Sequence, residues 1–350
     1  MLAIDKRALR VVWTVYLFVL FVYVIYQIRE TLLVFAGAIF FAYMLSPIVG
    51  LIERFLPKRR ALALAIVYIL FVGSLVGIGF ALLPRLATEA TSLATRLPGL
   101  VTGGKVATLP LPGWLEPMRD KLMTALRTEA SNLQNSVVPF IQEASSQILS
   151  GVGALVPLIL VPILAFFFLK DARAMRAALV DSFPSDHQRM TLDKMLSQMH
   201  IMLQSYIRAL VILAVASFAA WAIFLSLLGE PYELLLAGLA GVLEFIPVVG
   251  PIAALAIMLV VCGVAGSGGF LWIILFWGIY RVFQDYVLNP YLMSSGVELH
   301  PLLVLFGVLA GEKVGGIAGM FFSVPVLAIL KVAYVQLRES ATRERLTAVV

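Results

Sequence analysis

The chain has 350 residues, of which 61% are hydrophobic and 13% charged, against roughly 45–50% and roughly 25% in soluble domains; this excludes a soluble globular protein and indicates a polytopic membrane protein. The net charge of +6 does not signal nucleic-acid binding, because the basic residues stand in short groups beside apolar runs, as topology signals do. A single cysteine, Cys262, leaves neither a disulfide framework nor a thiolate metal site.

In chain order, residues 9–28, 31–52 and 61–83 are three predicted spans. Each can cross a hydrocarbon core of about 30 Å at about 1.5 Å per residue. The first run lacks a clear cleavage site and reads as a retained helix. Lys6, Arg7 and Arg10, and the cluster Arg54, Lys58, Arg59 and Arg60, belong on the cytoplasmic side by the positive-inside bias. From Pro84 to Ser150 the chain turns polar, with leucines recurring at helical spacing around a Pro- and Gly-rich break at 109–113. That pattern predicts amphipathic helices outside the membrane, packing on themselves, on the membrane domain or on another subunit.

Residues 152–169 form a fourth span returning to Lys170, Arg173 and Arg176. Ser185 and Gln188 predict a capping box. The helix it starts carries Met190, Met195, Met199 and Met202 and leads into a fifth span, 206–228. Beyond Pro231 the runs shorten. Residues 234–246 lead into EFIPVVGP at 244–251, and 301–310 leads into GEKVGG at 311–316, each followed by a further apolar stretch. Proline lacks a donor and clashes with the preceding turn, so each unit predicts a re-entrant helix–break–helix hairpin. The span 270–291 between them reads as regular.

The expected fold is therefore all-α: a polytopic integral membrane protein with about six full spans, two interrupted hairpins in the C-terminal half and an extramembrane helical insert. The regions are 1–84, with three spans; 85–150, the extracytoplasmic insert; 151–205, the fourth span and cytoplasmic linker helix; 206–337, a transport core; and 338–350, a cytoplasmic tail. Both termini are expected in the cytoplasm. Paired interrupted segments of opposite topology are the layout of secondary transporters, and the two breaks are expected to line one pathway.

Ionisable groups at membrane depth are costly and usually face a protein interior or a water path. Arg281 and Asp285 lie one turn apart, on a face with Gln284 and close to Asn289. They either fix helix packing or contact solute and coupling ion. Glu244, beside the first break, is the leading coupling carboxylate, while Glu312 and Lys313 either join it or sit at an aqueous loop. Enzyme signatures fail. GLVTGGKV at 99–106 lacks the Ser or Thr of a P-loop, and His187, His200 and His300 have no metalloprotease spacing. The chain reads as a non-enzyme without a cofactor or metal, its coupling ion being H⁺ or Na⁺.

The runs EFIPVVGP at 244–251, QDYVLNPYLMSSGVELHPLLVLFGVLAG at 284–311 and GGIAGMFFSVPVLAIL at 315–330 resemble the autoinducer-2 exporter family of bacterial permeases. The resemblance implies an inner-membrane exporter of a small polar solute such as the quorum-sensing signal autoinducer-2, a Na⁺(Li⁺)/H⁺ antiporter as alternative, and a homo-oligomer in the lipid bilayer. A non-transporting scaffold is a third reading. By motif position the resemblance also singles out Pro247, Gly250 and Pro251 in the first break, and Gln284, Asp285, Asn289 and Pro290 in the middle helix. In the second unit it singles out His300, Pro301, Gly311, Gly315, Gly316, Gly319 and Pro325, as hinge or close-packing positions.

Overall fold

The structure is a computed structural model that describes residues 6–56, 59–102, 124, 128, 155–265, 269–292 and 299–347. All regular structure among them is helical: α1 (Lys6–Gln27), α2 (Arg29–Phe55), α3 (Arg60–Thr102), α4 (Leu155–Asp181), α5 (Asp186–Leu228), α6 (Glu233–Leu243), α7 (Val249–Ala265), α8 (Phe270–Phe283), a π segment (Gln284–Leu288), α9 (Asn289–Leu292) and α10 (Pro301–Thr347). Among the described residues, five helical stretches are long and apolar enough to cross a membrane: 10–27, 29–55, 186–228, 270–292 and 301–339. The fold is that of an all-α polytopic membrane protein. Most of the predicted insert lies outside the described residues. Where it was expected to begin, α3 runs on through Pro84 to Thr102 without a break.

α1 exposes apolar side chains around its circumference, Trp13, Phe18 and Phe21 among them. Lipid or another protein surface is the environment in which such a helix is stable. Two larger apolar cores organise α2 to α8, and a small third cluster of Ala209, Leu213 and Leu292 sets α9 against α5. Of the larger two, one joins α2, α3 and α4 around Leu45, Leu64 and Val67. The other joins α5 to α8 around Trp221, Leu236, Met258 and Ile273.

α5 begins after Ser185, whose backbone is extended as a cap requires, although its side chain makes no capping bond; the carbonyl alone accepts from Arg189 N at 3.0 Å. The predicted capping box is therefore not formed. The helix ends at Gly229, which adopts φ +68° so that Glu230 N reaches Leu225 O at 3.0 Å, the left-handed termination that glycine permits. The chain then turns back as α6.

α6 and α7 make the first predicted hairpin. Eleven residues of α6 rise about 16 Å, roughly half a hydrocarbon core. Where α6 packs on α5, a side chain at Gly241 would meet Ala214 and Phe218. The hairpin turns between Leu243 and Val249, so Gly250 and Pro251 lie in the first turn of α7, not in the break. Proline is tolerated there because first-turn N–H groups lack helical partners. At the tip Val248 has φ +66° and Val249 N bonds to Pro247 O at 2.7 Å. This is a γ-turn in its strained form. At the base, Glu89 of α3 accepts a bond from Leu235 N at 2.9 Å and supplies the acceptor that the N-terminus of α6 needs.

The second hairpin is contained in α10. Its helical course is interrupted only at Gly315 (φ −139°, ψ 19°) and Gly316 (φ 58°, ψ −139°). Gly311, Glu312 and Lys313 are helical, so the predicted GEKVGG break is narrower than expected. Its arms touch where Gly311 meets Gly319, and a side chain on either would strike the other's carbonyl. Pro325 sits inside the returning arm without ending it.

α5 shows the relation between the hairpins. The first enters from the C-terminal end of α5. The second has its base at the other end, where Gln336 donates to Gln198 at 2.8 Å and Lys194 pairs with Glu339 at 3.4 Å. They enter from opposite ends, yet their breaks do not face each other. Phe245 at the first tip meets Phe40 of α2 and Phe321 of α10, at ring separations of 6.0 and 5.4 Å. Gly315 at the second tip packs on Leu33, about 10 Å further along α2. Each tip lies beside the other hairpin's flank or α2.

Gly319→Ala is expected to lower stability by about 1–3 kcal/mol through overpacking. Gly37→Ala, where a side chain meets nothing within 4 Å, is expected to be neutral or stabilising by up to about 1 kcal/mol. Thermal unfolding in detergent micelles checks both. In the same assay Glu89→Ala removes a cap worth about 1 kcal/mol, whereas Glu89→Gln, which keeps an acceptor oxygen, retains most of it.

Candidate functional site: a polar cavity at the first hairpin

Apolar helices that pack side by side need few polar side chains inside. Here several meet at one place. Glu244, 9% exposed, ends α6, and Gln284, 2% exposed, opens the π segment. Gln284 Nε2 donates to Glu244 Oε2 at 2.8 Å. This charge-assisted bond ties the hairpin tip to the middle helix.

The π segment is the part of the middle helix that the sequence reading expected to be regular. Asn289 N bonds to Gln284 O, one residue further back than in an α-helix, and Pro290 follows immediately. Proline cannot donate, and its ring displaces the carbonyl four residues earlier. That accounts for a widened turn at this point; π turns of this kind recur at functional sites.

Asp285 accepts from Arg281 Nε and from Asn289 Nδ2, both at 3.1 Å. The side chains of Arg281 and Asp285 are 28% and 43% exposed. Arg281, Gln284 and Asn289 line the cavity described next, whereas Asp285 stands outside its wall and orients Arg281 and Asn289. The expected shared inward face is thus split: Gln284 turns inward, Asp285 outward.

The cavity is about 410 Å³, within the size range of small-molecule sites. Glu244, Pro247, Val248 and Pro251 of the first hairpin form one wall, and Arg281, Gln284 and Asn289 another. α5 contributes Ser205 and Tyr206, and the arms of the second hairpin contribute Val304, Val324 and Ala328. Behind Glu244 is a void of about 10 Å³ bordered by Ser217, Tyr280 and Gln284, the lower limit for one water molecule.

Three buried polar atoms around these spaces, Gln284 Oε1, Tyr206 OH and Asn289 Oδ1, carry no hydrogen bond within the described protein, and Ser217 lies within hydrogen-bonding reach of Glu244 and Tyr280. Buried polar groups are nearly always bonded, and exceptions mark strain, function or bound water. Their clustering here gives a polar guest donors and acceptors without breaking protein contacts, apart from the Gln284 to Glu244 bond.

Other expected site residues lie elsewhere. Glu312 is 46% exposed and pairs with exposed Lys313 at 3.8 Å; neither reaches the cavity. His300 Nδ1 accepts from Leu302 N at 3.2 Å, so it caps α10, with Pro301 in the first helical position. Gly311 and Gly319 serve arm contact, and Gly315 and Gly316 form the second break. Glu298 lies outside the described residues. Sequence reasoning missed Ser217, Tyr206 and Tyr280. The signal was present: Tyr280 precedes Gln284 by one turn, and Tyr206 and Ser217 share one face of α5 at helical spacing.

Residues 15–339 match the model of the AI-2E family transporters. The chain is 32% identical over 311 residues to the Escherichia coli (strain K12) protein named "Putative permease PerM", covering 84% of each. It is 25% identical over 314 residues to "Putative transport protein YueF" of Bacillus subtilis (strain 168), covering 86% of this chain and 82% of that one. A "Putative transport protein" of Methanothermobacter thermautotrophicus is 27% identical over 296 residues, covering 82% of each. With a family match spanning almost the whole length and helices built to cross a bilayer, the chain belongs to the AI-2E family of transporters and is a multi-pass membrane protein.

Proposed function

We propose that the protein is a secondary-active exporter of a small polar metabolite, of the kind represented by autoinducer-2, acting in the bacterial inner membrane with both termini in the cytoplasm. The observation that carries this reading is the set of unbonded buried polar atoms around a 410 Å³ cavity at the tip of a broken-helix hairpin. A hydroxylated solute of a few carbons matches that space and that mixture of donors and acceptors. The sequence offers no nucleotide-hydrolysis motif, so an ion gradient supplies the driving force. Glu244 is the coupling carboxylate in this reading, Gln284 its exchangeable partner, and Arg281 and Asn289 contact solute while held by Asp285. Residues 206–337 are the transport core, and homo-oligomerisation gives the exposed α1 a surface to meet.

Cation/proton antiport is the second reading, and one observation favours it. Ser217 Oγ, Tyr280 OH and Gln284 Oε1 join the Glu244 carboxylate around the small void. All four groups offer oxygen, the donor type that hard cations prefer.

Reconstituted proteoliposomes separate the two. Glu244→Gln leaves an amide, which cannot take up and release a proton at this position. Glu244→Gln is therefore expected to cut solute-dependent proton movement at least about tenfold, and full flux in that variant overturns the assignment. Na⁺-dependent proton movement in the absence of organic solute establishes the antiporter reading instead. Access to the cavity is checked by thiol labelling in a Cys262→Ala background. Val248→Cys, at the exposed tip, is expected to react with a hydrophilic maleimide and to be protected by transported solute; Ala254→Cys, 3% exposed, is expected to stay silent. A Val248→Cys protein inert from both faces shows that water does not reach the site.

A further inference from the structure

A second, larger cavity meets α5 nearer its N-terminus, at Leu196 and His200. Its volume is about 780 Å³, and α2, α4 and α5 enclose it with Arg60 at the start of α3. None of the residues assigned to solute or ion coupling borders it. Along α2 it extends from Glu53 to Ile39, about 21 Å of helix.

Arg60, Arg173 and Arg176 bring charge to the lining, and Ile39, Ala42 and Phe168 bring apolar surface. The carboxylate in the wall, Glu53, is paired with Arg60 at 3.3 Å, and Arg60 also donates to Leu169 O at 2.8 Å. Arg176 is shared with Asp193 at 2.8 Å. Arg173 appears in no ion pair among the described residues, so the lining keeps positive charge beyond the Glu53 and Asp193 pairs. Midway, His200 Nδ1 and Tyr43 OH bond to each other at 3.1 Å. That bond links α2 to α5 across the cavity lining.

A cavity whose lining joins arginines to apolar surface matches an amphiphile with an anionic head. Its arginines have Arg54, Arg59 and Lys170 nearby in sequence. Basic pockets between membrane helices recognise anionic lipid headgroups. We propose that this cavity binds one anionic phospholipid, its phosphate held by Arg173 with Arg176 and Arg60, and an acyl chain lying along α2 and α4 toward Ile39 and Phe168. Arginine suits this role because its planar fork meets phosphate oxygens in pairs. The bound lipid then bridges the α2–α4 core to α5, the helix that also walls the solute cavity.

The test is native mass spectrometry of the full-length protein released from nanodiscs of phosphatidylcholine containing one part in ten of phosphatidylglycerol. Retention of phosphatidylglycerol well above its share of the mixture is expected. Arg173→Gln combined with Arg176→Gln is expected to reduce that retention at least fivefold, while Arg54→Gln, which removes the same kind of charge but outside the cavity lining, leaves it unchanged. Ala172→Trp, which fills the cavity and keeps every arginine, is expected to reduce it similarly; this variant keeps the test decisive if the double substitution fails to fold. Equal loss in Arg54→Gln, retention no greater than the mixture predicts, or retention unaffected by Ala172→Trp overturns the site. Displacement by millimolar inorganic phosphate as effective as by added phosphatidylglycerol also overturns it, in favour of a free-anion site.

Discussion

The bond from Gln284 to Glu244 sets the terms for the C-terminal half, because it decides where a buried carboxylate can sit. A carboxylate taken from water into an apolar bundle costs several kcal/mol unless donors replace the lost hydration. Here the donor comes from a different helix, forty residues away in sequence. Glu244 is presented by the end of α6, whose length is fixed by the proline-bearing turn that follows. Gln284 is the first residue of the π turn that Pro290 imposes on the middle helix. Neither residue is placed by its own helix alone.

Opposed hairpins make that contact possible. A half-length helix exposes unbonded backbone at its tip, which a bilayer cannot satisfy, so irregular backbone persists only where protein or a polar cavity surrounds it. The first tip is enclosed by Phe40, Phe321 and Phe322 on one side and opens to the polar cavity on the other. Edge-to-face ring packing adds about 0.5–1.5 kcal/mol per pair beyond area burial, and it holds the tip against α2 and α10 without polar contacts. The second hairpin relies instead on the absence of side chains at Gly311 and Gly319. One tip is held by bulky rings and the other by bare backbone contact.

Much of this architecture was legible in the residues. Apolar run lengths located the helices of the membrane domain, and Pro247 and the paired Gly315 and Gly316 located the two breaks, because missing donors and positive φ are local properties of residue type. The cluster Glu244, Gln284 and Asn289 was legible as charge and amide placed at membrane depth. What could not be read was three-dimensional phase. The inward turn of Gln284 and outward turn of Asp285 depend on a π segment that adds a residue to one turn, and a regular periodicity cannot encode this. Ser217 and Tyr206 share a readable face of α5 but were missed for a related reason: a lone hydroxyl in an apolar helix is common, and only the fold brings α5 against the hairpin tip. Glu312 stood open in the sequence between joining Glu244 and sitting at an aqueous loop, and packing leaves it at the surface. Arg60, Arg173 and Arg176 read as topology signals, and their meeting at one cavity required the helices to be assembled.

Two irregular stretches of backbone flank the Glu244–Gln284 bond, and their energies are comparable with its own. Val248 is held at φ +66°, a conformation that costs a β-branched residue about 1–3 kcal/mol. The bond it helps to position is worth about 1.5–3 kcal/mol as a hydrogen bond to a charged group. If a guest takes over the donor role of Gln284, the bond's contribution is replaced and the tip is released to a relaxed backbone at little net cost. If the guest leaves, remaking the bond offsets the strain. The π segment supplies the matching freedom on the other side, since shifting one hydrogen bond back to α-helical register turns every following side chain about the helix axis. A site whose empty state is held together by an interaction no larger than the strain beside it responds to a small ligand. A tightly packed apolar junction of the same size would cost more to open than the ligand's few contacts return.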